Sequence, residues 1–340
     1  MAFKLFLCNV AVTQEKTYDP LPRSGARSML QQSVSSLSEI TQAMLNGEPA
    51  VIQVQSDITL TGSPFPTITS GQMFDIEGLC EETCVLDAAS SSRIFVVQSG
   101  GTLLLRDLRL LNGNGGDSTT AYGGLLQIEG GRLEAYGVTM QDSEAWCGGA
   151  MYVCCSGAVI LDSCDVSNNR ATSSFYTNSV AGGGAFLVKD GGTSMTLMDC
   201  SVSDNRPYYL SGSGSQGGAI FMGWNAVVIF SGGSVVNNLA AYGGVAKNDW
   251  SGFLHFQDGC LVQGNHAGAG GIVYSWGSST YFIGATLINN YISSSTVSTI
   301  TGSENPPNSD HNLVDSDCNT GYNCSGSTCV GETITTLFHR

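Results

Sequence analysis

The sequence has few basic residues and no long apolar run, and each shortage excludes a class of protein. Only 13 Lys and Arg residues stand against 28 Asp and Glu residues, which gives a net charge of −15. A chain this acidic would be repelled by nucleic acid and by anionic membrane surfaces. No apolar run approaches the roughly 20 residues that a membrane span needs. We therefore expect neither a nucleic-acid partner nor a membrane-spanning segment.

Proline is also scarce, with 8 residues, whereas the chain contains 44 glycines. Glycine scattered through apolar stretches without matching proline indicates many tight turns rather than a flexible linker. Twelve cysteines are many for a cytosolic protein and favour an oxidising compartment, so we predict an extracellular or cell-surface protein. Residues 1–35 are interpreted as an N-terminal arm or weak signal segment, because their short apolar run is interrupted by Asn9.

A short helix is predicted where the first regular pattern begins. Ser36 and Glu39 match a capping box, in which each side chain satisfies a free backbone amide of the other residue. The apolar residues that follow are three and four positions apart, and residues 46–47 (Asn-Gly) provide a C-terminal stop. The pattern then alternates over residues 51–60, which is typical of a strand. A helix followed directly by strands predicts a cap over the open end of a β-solenoid.

Glycine pairs divide the rest of the chain into repeats. They begin at residues 123, 148, 183, 217, 243 and 270, and a column of Val and Leu residues lies 15 to 19 positions after each pair. From that column to the next pair the distance varies from 8 to 17 residues. One half of each unit therefore has the constant length of a stacked core, and the other half has the variable length of a surface loop.

These units predict an all-β fold. They are 25 to 36 residues long and contain no helical stretch long enough for a crossover, which excludes a βαβ arrangement. We predict a single right-handed parallel β-helix solenoid with an N-terminal capping helix over residues 36–300, followed by a cysteine-containing tail at 301–340. The Asn residues after the Val column are expected at a turn, where they accept left-handed geometry and stack their amides.

The repeat resembles that of a known family. Residues 217–220 are GGAI, and Val166-x-x-Asn169 and its equivalents in later units are close to FxxN. These motifs resemble the repeats of chlamydial polymorphic outer membrane proteins, whose passenger regions are surface-exposed β-helices implicated in adhesion. More broadly, the chain resembles the pectate-lyase-like superfamily of right-handed β-helices, which includes secreted polysaccharide lyases, hydrolases and epimerases. The resemblance implies a surface-displayed β-helix with a role in adhesion or polysaccharide recognition.

Several cysteines are positioned for disulfides. Cys80 and Cys84 could close a small loop, and Cys164 and Cys200 occupy the same position in successive units. Coils about 4.8 Å apart fall within the Cα separation of roughly 4.4 to 6.8 Å that a disulfide accepts. A bridge and a pair of buried thiols remain equal alternatives for Cys164 and Cys200. Three further candidates lie in the tail: Cys318, Cys324 and Cys329. Their spacing does not match a common zinc site, so no metal site is predicted.

The longest loops carry the candidate ligand-binding residues. Arg170 and Arg206 follow the Asn column at matching positions, so they should stand one above the other. Flat aromatic rings beside guanidinium groups suit a sugar ring or a carboxylate. The alternative is that the rings pack the loops down and each Arg pairs with a local acid. The aromatic candidates are Tyr122, Phe175, Tyr176, Tyr208 and Tyr209.

No complete catalytic set is visible in the sequence. A hydrolase of this fold would need paired Asp residues on adjacent strands, and none are found. We predict a structural, adhesive or glycan-binding module whose partner is a glycan or another surface protein. The alternative is a polysaccharide lyase that uses Arg170, Arg206 and a Tyr. No cofactor is predicted, although calcium remains compatible with the acidity.

Overall fold

Strands that are one coil apart in sequence pair side by side and in parallel through the described coils of the chain. The structure is a computed structural model that describes residues 30–116, 121–172, 182–208, 215–269, 271–276, 278–292, 323–325 and 328–330. Within these residues the chain forms a right-handed parallel β-helix with one short helix, as the repeat predicts. Each coil contributes one strand to each of several sheets, so every sheet runs parallel to the solenoid axis.

Three long sheets form the walls. Sheet A contains Leu30–Val34, Ala50–Val54, Met73–Gly78, Thr102–Arg106, Arg132–Tyr136, Ala158–Asp162, Ser194–Met198, Val227–Ser231, Phe253–Gln257 and Ser279–Ile283. Sheet B contains Ile58–Thr59, Cys84–Asp87, Leu108–Leu111, Thr139–Gln141, Asp165–Ser167, Ser201–Ser203, Ser234–Val236, Leu261–Gln263 and Thr286–Ile288. Sheet C contains Phe95–Gln98, Leu126–Glu129, Met151–Cys154, Phe186–Val188, Ile220–Met222, Ala246–Asp249 and Val273–Trp276.

Two short sheets lie between sheets B and C in the order of the chain. Sheet D contains Glu144–Ala145, Arg170–Ala171 and Arg206–Pro207, and sheet E contains Leu239–Tyr242, His266–Ala269 and Tyr291–Ile292. An antiparallel hairpin of Asn323–Ser325 and Thr328–Val330 adds to sheet B beside Thr286–Ile288. No helix within the described part of the chain is long and apolar enough to cross a membrane.

The interior is filled by like residues stacked from coil to coil. Several strands of sheet A, such as Ala50–Val54 and Ser194–Met198, alternate between a buried and a partly exposed residue, because successive side chains of a strand point to opposite faces. Phe230, Phe256 and Phe282 lie in successive coils, and their ring centroids are 5.0 and 4.9 Å apart. Burial of such columns, at about 25 cal/mol per Å² of apolar surface, is the main force that holds the coils together.

The predicted capping helix spans Leu37–Leu45 and begins after the N-cap Ser36. Ser36 Oγ accepts a hydrogen bond from the Glu39 N–H at 3.4 Å, as the capping box predicts. The Glu39 carboxylate accepts from the N–H of Ser35 at 2.7 Å, one residue earlier than the predicted partner. The solenoid also begins before the helix, because Leu30–Val34 pairs with Ala50–Val54 in sheet A.

The two glycines of each pair have different roles. The first has a positive φ, for example +70° at Gly183, which a residue with a Cβ rarely adopts. The second faces backbone on two sides: a Cβ on Gly184 would lie 2.1 Å from the carbonyl oxygen of Gly218 and 2.3 Å from the nitrogen of Arg206. Stacked glycine pairs therefore form a seam where the coil closes on itself without side chains.

The Asn residues after the Val column also divide into two roles. The first of each pair takes the left-handed conformation, with φ of 57° at Asn168 and 56° at Asp204. The second forms a buried amide ladder, in which Nδ2 of Asn169 donates to Oδ1 of Asn205 at 3.0 Å and Nδ2 of Asn205 donates to Oδ1 of Asn238 at 3.1 Å. Asn265 and Asn290 continue the ladder.

The described cysteines follow the sequence expectations in part. Cys80 and Cys84 form a disulfide with a Cα separation of 5.2 Å. Cys164 and Cys200 lie in adjacent coils but are buried free thiols, and the N–H of Cys164 donates to Sγ of Cys200 at 3.4 Å. Of the two alternatives for this pair, the structure contains the thiols, which fill the core as small apolar groups. Cys324 and Cys329 are register partners in the hairpin, and Cys318 lies outside the described residues.

Candidate functional site

The turn from sheet C to sheet A carries an unusual column of residues. The seventh residue after the first glycine of each pair has a positive φ in five successive coils: Gly130, Cys155, Asp190, Trp224 and Trp250. Glycine adopts this conformation freely, but a left-handed residue with a Cβ costs roughly 1–2 kcal/mol. Bulky residues are rare there, so two tryptophans at φ of 55° and 45° mark this turn as a candidate site.

Lys189 lies at the centre of a group of aromatic rings beside this turn. Its Nζ is 5.8 Å from the ring centroid of Tyr122, 5.6 Å from that of Tyr152 and 6.0 Å from that of Trp224. The rings of Tyr122 and Tyr152 are themselves 4.9 Å apart. A cation within about 6 Å of a ring centroid is attracted by the negative face of the ring, so the rings hold the ammonium group in place.

The two tryptophans extend this group toward solvent. Trp224 is half-buried and lies 6.0 Å from Phe221, while Trp250, in the next coil, lies 4.5 Å from Trp224 and is 39% exposed. We call the set of Tyr122, Tyr152, Lys189, Trp224 and Trp250 the aromatic corner. Its members come from five successive coils, and the stacking of the coils holds the rings in a row along the solenoid axis.

Burial controls the protonation of the corner. It raises the pKa of Tyr152 above its ordinary value, and the nearby carboxylates of Asp190 and Glu129 add to this. Burial likewise raises the pKa of Tyr122, and it raises that of the Cys147 thiol to about 12. The two phenols and this thiol are therefore neutral at pH 7, so they act there as hydrogen-bonding or apolar surfaces rather than as bases.

A second buried group lies two coils further along the same face of sheet C. Lys247 donates a hydrogen bond to Asp249, and its Nζ lies 4.4 Å from the ring centroid of Tyr274. Burial lowers the pKa of Lys247 and raises that of Asp249, while each partner opposes the shift of the other. Both side chains are almost fully buried. The pair therefore satisfies itself inside the protein and offers no charge to a ligand.

A shallow cleft of about 500 Å³ lies on sheet B beside the Cys80–Cys84 disulfide. Two of its charged groups already have partners: Asp57 accepts the N–H of Val85 at 2.9 Å, and Arg109 donates to Gln141 at 2.8 Å. Because these groups are engaged by the protein, the cleft is a weaker candidate than the aromatic corner.

The structure separates the ligand candidates that the sequence grouped. Tyr122 belongs to the aromatic corner. Arg170 and Arg206 are register partners in sheet D, one above the other as the spacing predicts, and both are exposed. Tyr208 is 58% exposed and follows Arg206 by two residues. Phe175, Tyr176 and Tyr209 lie outside the described residues.

Most of the aromatic corner was missed by reasoning from the sequence. Tyr152, Lys189, Trp224 and Trp250 were not among the candidates. One feature would have found the tryptophans: each stands seven residues after the first glycine of its pair. Equal offsets from a repeat marker place residues in one column of the solenoid, whatever their chemical type.

Comparison of the chain with protein-family models, with curated protein sequences and with solved structures finds no match. The assignment of the β-helix therefore depends on the strand pairing of this structure, and any function has to be argued from the geometry of its own residues.

Proposed function

We propose that this protein is a glycan-binding β-solenoid, displayed outside the cell, and that the aromatic corner is its binding site. The observation that carries the proposal is the pair of tryptophans held at positive φ, with Trp250 exposed at the outer end of a row of rings. Backbone strain of this kind persists where the surrounding structure enforces it, and it is concentrated at binding sites.

The chemistry of the corner matches that of a sugar. A pyranose ring presents an apolar face of C–H groups, which packs against flat aromatic rings, and a rim of hydroxyl groups, which need hydrogen-bond partners. Trp224 and Trp250 provide the flat surface, and Lys189 provides donors at its edge. Because the protein has a net charge of −15 and Asp190 follows Lys189 directly, we propose a neutral glycan as the ligand.

Two further observations support an adhesive role over a purely structural one. The GGAI and FxxN-like motifs are similar to repeats of surface-exposed adhesins, and the rings of the corner follow the solenoid axis over successive coils. A row of this kind suits a chain of sugars better than a single small molecule, because each coil adds one contact position about 4.8 Å further on.

The test compares two aromatic residues that are equally exposed and close in sequence. Trp250 is 39% exposed within the corner, and Phe253 is 42% exposed on sheet A outside it. Binding of neutral glycans would be found on a glycan array and measured by calorimetry. We expect Trp250→Ala to weaken binding at least about tenfold, the loss of 1.4 kcal/mol or more that a truncated anchor causes. Phe253→Ala should bind as the unaltered protein does.

Either of two results would contradict the proposal: unchanged binding by Trp250→Ala, or equal loss in both variants. Incubation with a panel of soluble polysaccharides tests the lyase alternative, because β-elimination creates unsaturated ends that absorb in the ultraviolet. Formation of such products would replace glycan binding with catalysis as the function. Arg170→Ala and Arg206→Ala would then show whether these two residues take part.

A further inference from the structure

We propose that Cys154, Cys155 and Asp190 form a redox-gated binding site for Zn²⁺, which is open when the two cysteines are reduced. The proposal does not depend on glycan binding, because none of the three residues belongs to the aromatic corner. It follows from three side chains, contributed by two adjacent coils, whose ligand atoms all lie within 4.8 Å of one another.

The fold brings these three side chains together. Cys154 ends the strand Met151–Cys154, and Cys155 is the first residue of the turn that follows, with a φ of 61°. Asp190 occupies the equivalent turn position one coil later, with a φ of 75°. The left-handed backbone at both positions is imposed by the repeat, so Cys155 and Asp190 are stacked at the spacing between adjacent coils, about 4.8 Å.

The distances suit one small cation. Zn²⁺ binds thiolate sulfur at about 2.3 Å and carboxylate oxygen at about 2.0–2.2 Å, usually with tetrahedral geometry. Two ligand atoms on such an ion are therefore roughly 3.5–3.8 Å apart. The two sulfur atoms, which are bonded to each other in this structure, separate on reduction to reach that spacing, and the Asp190 carboxylate already lies within 4.8 Å of both. Three protein ligands leave the fourth position for water.

The donor types and the surroundings favour zinc. Two thiolates and one carboxylate form a mixed sulfur and oxygen set, which selects zinc over calcium or magnesium. Cys155 is exposed and Asp190 is half-buried, so an ion can reach the site from solvent. Cys147 does not belong to the group of side chains whose ligand atoms lie within 4.8 Å of one another. The ammonium group of the neighbouring Lys189 is held over the rings of the corner.

Oxidation closes the site. In this structure Cys154 and Cys155 are joined as a disulfide, so neither sulfur is a thiolate. A phosphine reductant opens it: the S–S bond breaks, the phosphine gives up two electrons and becomes a phosphine oxide with oxygen from water, and two thiols form. Binding of Zn²⁺ then releases the two thiol protons to solvent, which makes the affinity rise with pH.

The experiment uses the full chain, reduced with a phosphine under anaerobic conditions and titrated with Zn²⁺ against a chromophoric chelator. Two double variants are compared, Cys154→Ser/Cys155→Ser and Cys80→Ser/Cys84→Ser, because the Cys80–Cys84 disulfide is also opened by the reductant. We expect the first variant to bind one Zn²⁺ fewer than the reduced parent protein and the second to keep that ion. The oxidised parent protein should also lack it.

Asp190→Asn tests the third ligand. Loss of a supporting partner of a metal ligand already costs about 10–100-fold in affinity, so loss of Asp190 should weaken zinc binding at least about tenfold with unchanged stoichiometry. Co²⁺ in place of Zn²⁺ reports the sulfur ligands directly, through an absorption band that requires thiolate and should be lost in Cys154→Ser/Cys155→Ser. Circular dichroism of each variant shows whether the solenoid is intact.

Two results would overturn the proposal. One is the same number of zinc ions bound by the reduced parent protein and by an intact Cys154→Ser/Cys155→Ser variant. The other is binding of that ion by the oxidised parent protein. Unchanged affinity in Asp190→Asn would remove the carboxylate from the site and contradict the three-ligand geometry.

Discussion

Replacing Asn205 with Ala would remove one rung from the centre of the buried amide ladder. Its side chain takes part in four hydrogen bonds. Oδ1 accepts from the backbone N–H and the Nδ2 of Asn169, both at 3.0 Å. Nδ2 donates to the carbonyl oxygen of Val166 at 2.9 Å and to Oδ1 of Asn238 at 3.1 Å. All of these groups lie in the interior, where water does not replace the lost partner.

The cost follows from this count of bonds. A hydrogen bond between neutral groups contributes about 1 kcal/mol net, and a buried donor left without a partner costs about 1–3 kcal/mol. The N–H of Asn169 would lose its partner, whereas Oδ1 of Asn238 would keep the N–H of Asn205. We therefore expect Asn205→Ala to lower the free energy of unfolding by about 4 kcal/mol.

Denaturant unfolding followed by circular dichroism would measure the loss, and the neighbouring residue provides the control. Asp204 is exposed, takes a φ of 56° and lies in the same turn. Because Asn tolerates this conformation, Asp204→Asn should change the free energy of unfolding by less than about 0.5 kcal/mol. A loss below about 1 kcal/mol for Asn205→Ala, or equal losses in the two variants, would refute the stabilising role of the ladder.

Two other features give predictions of the same kind. Gly184→Ala should lower the free energy of unfolding by about 3 kcal/mol or more, because its Cβ would meet backbone atoms at 2.1 and 2.3 Å. In Gly191→Ala the new Cβ would meet nothing closer than 3.9 Å, so the free energy of unfolding should stay within about 1 kcal/mol of that of the parent protein. A larger loss in Gly191→Ala than in Gly184→Ala, measured by urea unfolding, would contradict the role of the seam. Burial lowers the pKa of His255, so below its ordinary pKa of 6.5 the unfolded chain binds a proton that the folded chain resists. The free energy of unfolding should therefore fall between pH 7 and pH 5. The fall should be smaller in His255→Phe, which keeps a ring against Tyr281. If the midpoint of urea unfolding shifted equally with pH in both proteins, this explanation would be contradicted.

The repeat could be predicted from the sequence because it depends on residue types that have few alternatives. Glycine pairs are needed where backbone meets backbone, and the buried amide ladder needs Asn side chains, so both columns are visible in the sequence. The sequence did not show which Asn of a successive pair forms the turn and which joins the ladder. Either residue of Asn168–Asn169 accepts a left-handed conformation, and only the structure shows that Asn169 is the one that turns inward.

The column of left-handed residues at the turn from sheet C to sheet A, which includes the two tryptophans of the site, was harder to predict because it is defined by position rather than by residue type. Cys155, Asp190 and Trp224 share a backbone conformation and an offset from a glycine pair, but they have no chemistry in common. The sequence candidates came from the longest loops. They therefore included Tyr122 but not Tyr152, because Tyr152 lies on a strand. For Cys164 and Cys200, the spacing of the coils predicted that the residues are neighbours, but side-chain torsions decide whether the sulfurs bond.

The glycine seam has a consequence for how such a protein can change over evolutionary time. Since the coils meet there through backbone alone, the junction carries no side-chain complementarity that ties one coil to a particular neighbour. A segment that runs from one glycine pair to the next is therefore an exchangeable module, and duplication, deletion or reordering of whole coils would leave every junction equivalent. Selection can then alter the turn residues of single coils, such as those of the aromatic corner, while the scaffold beneath them is copied unchanged.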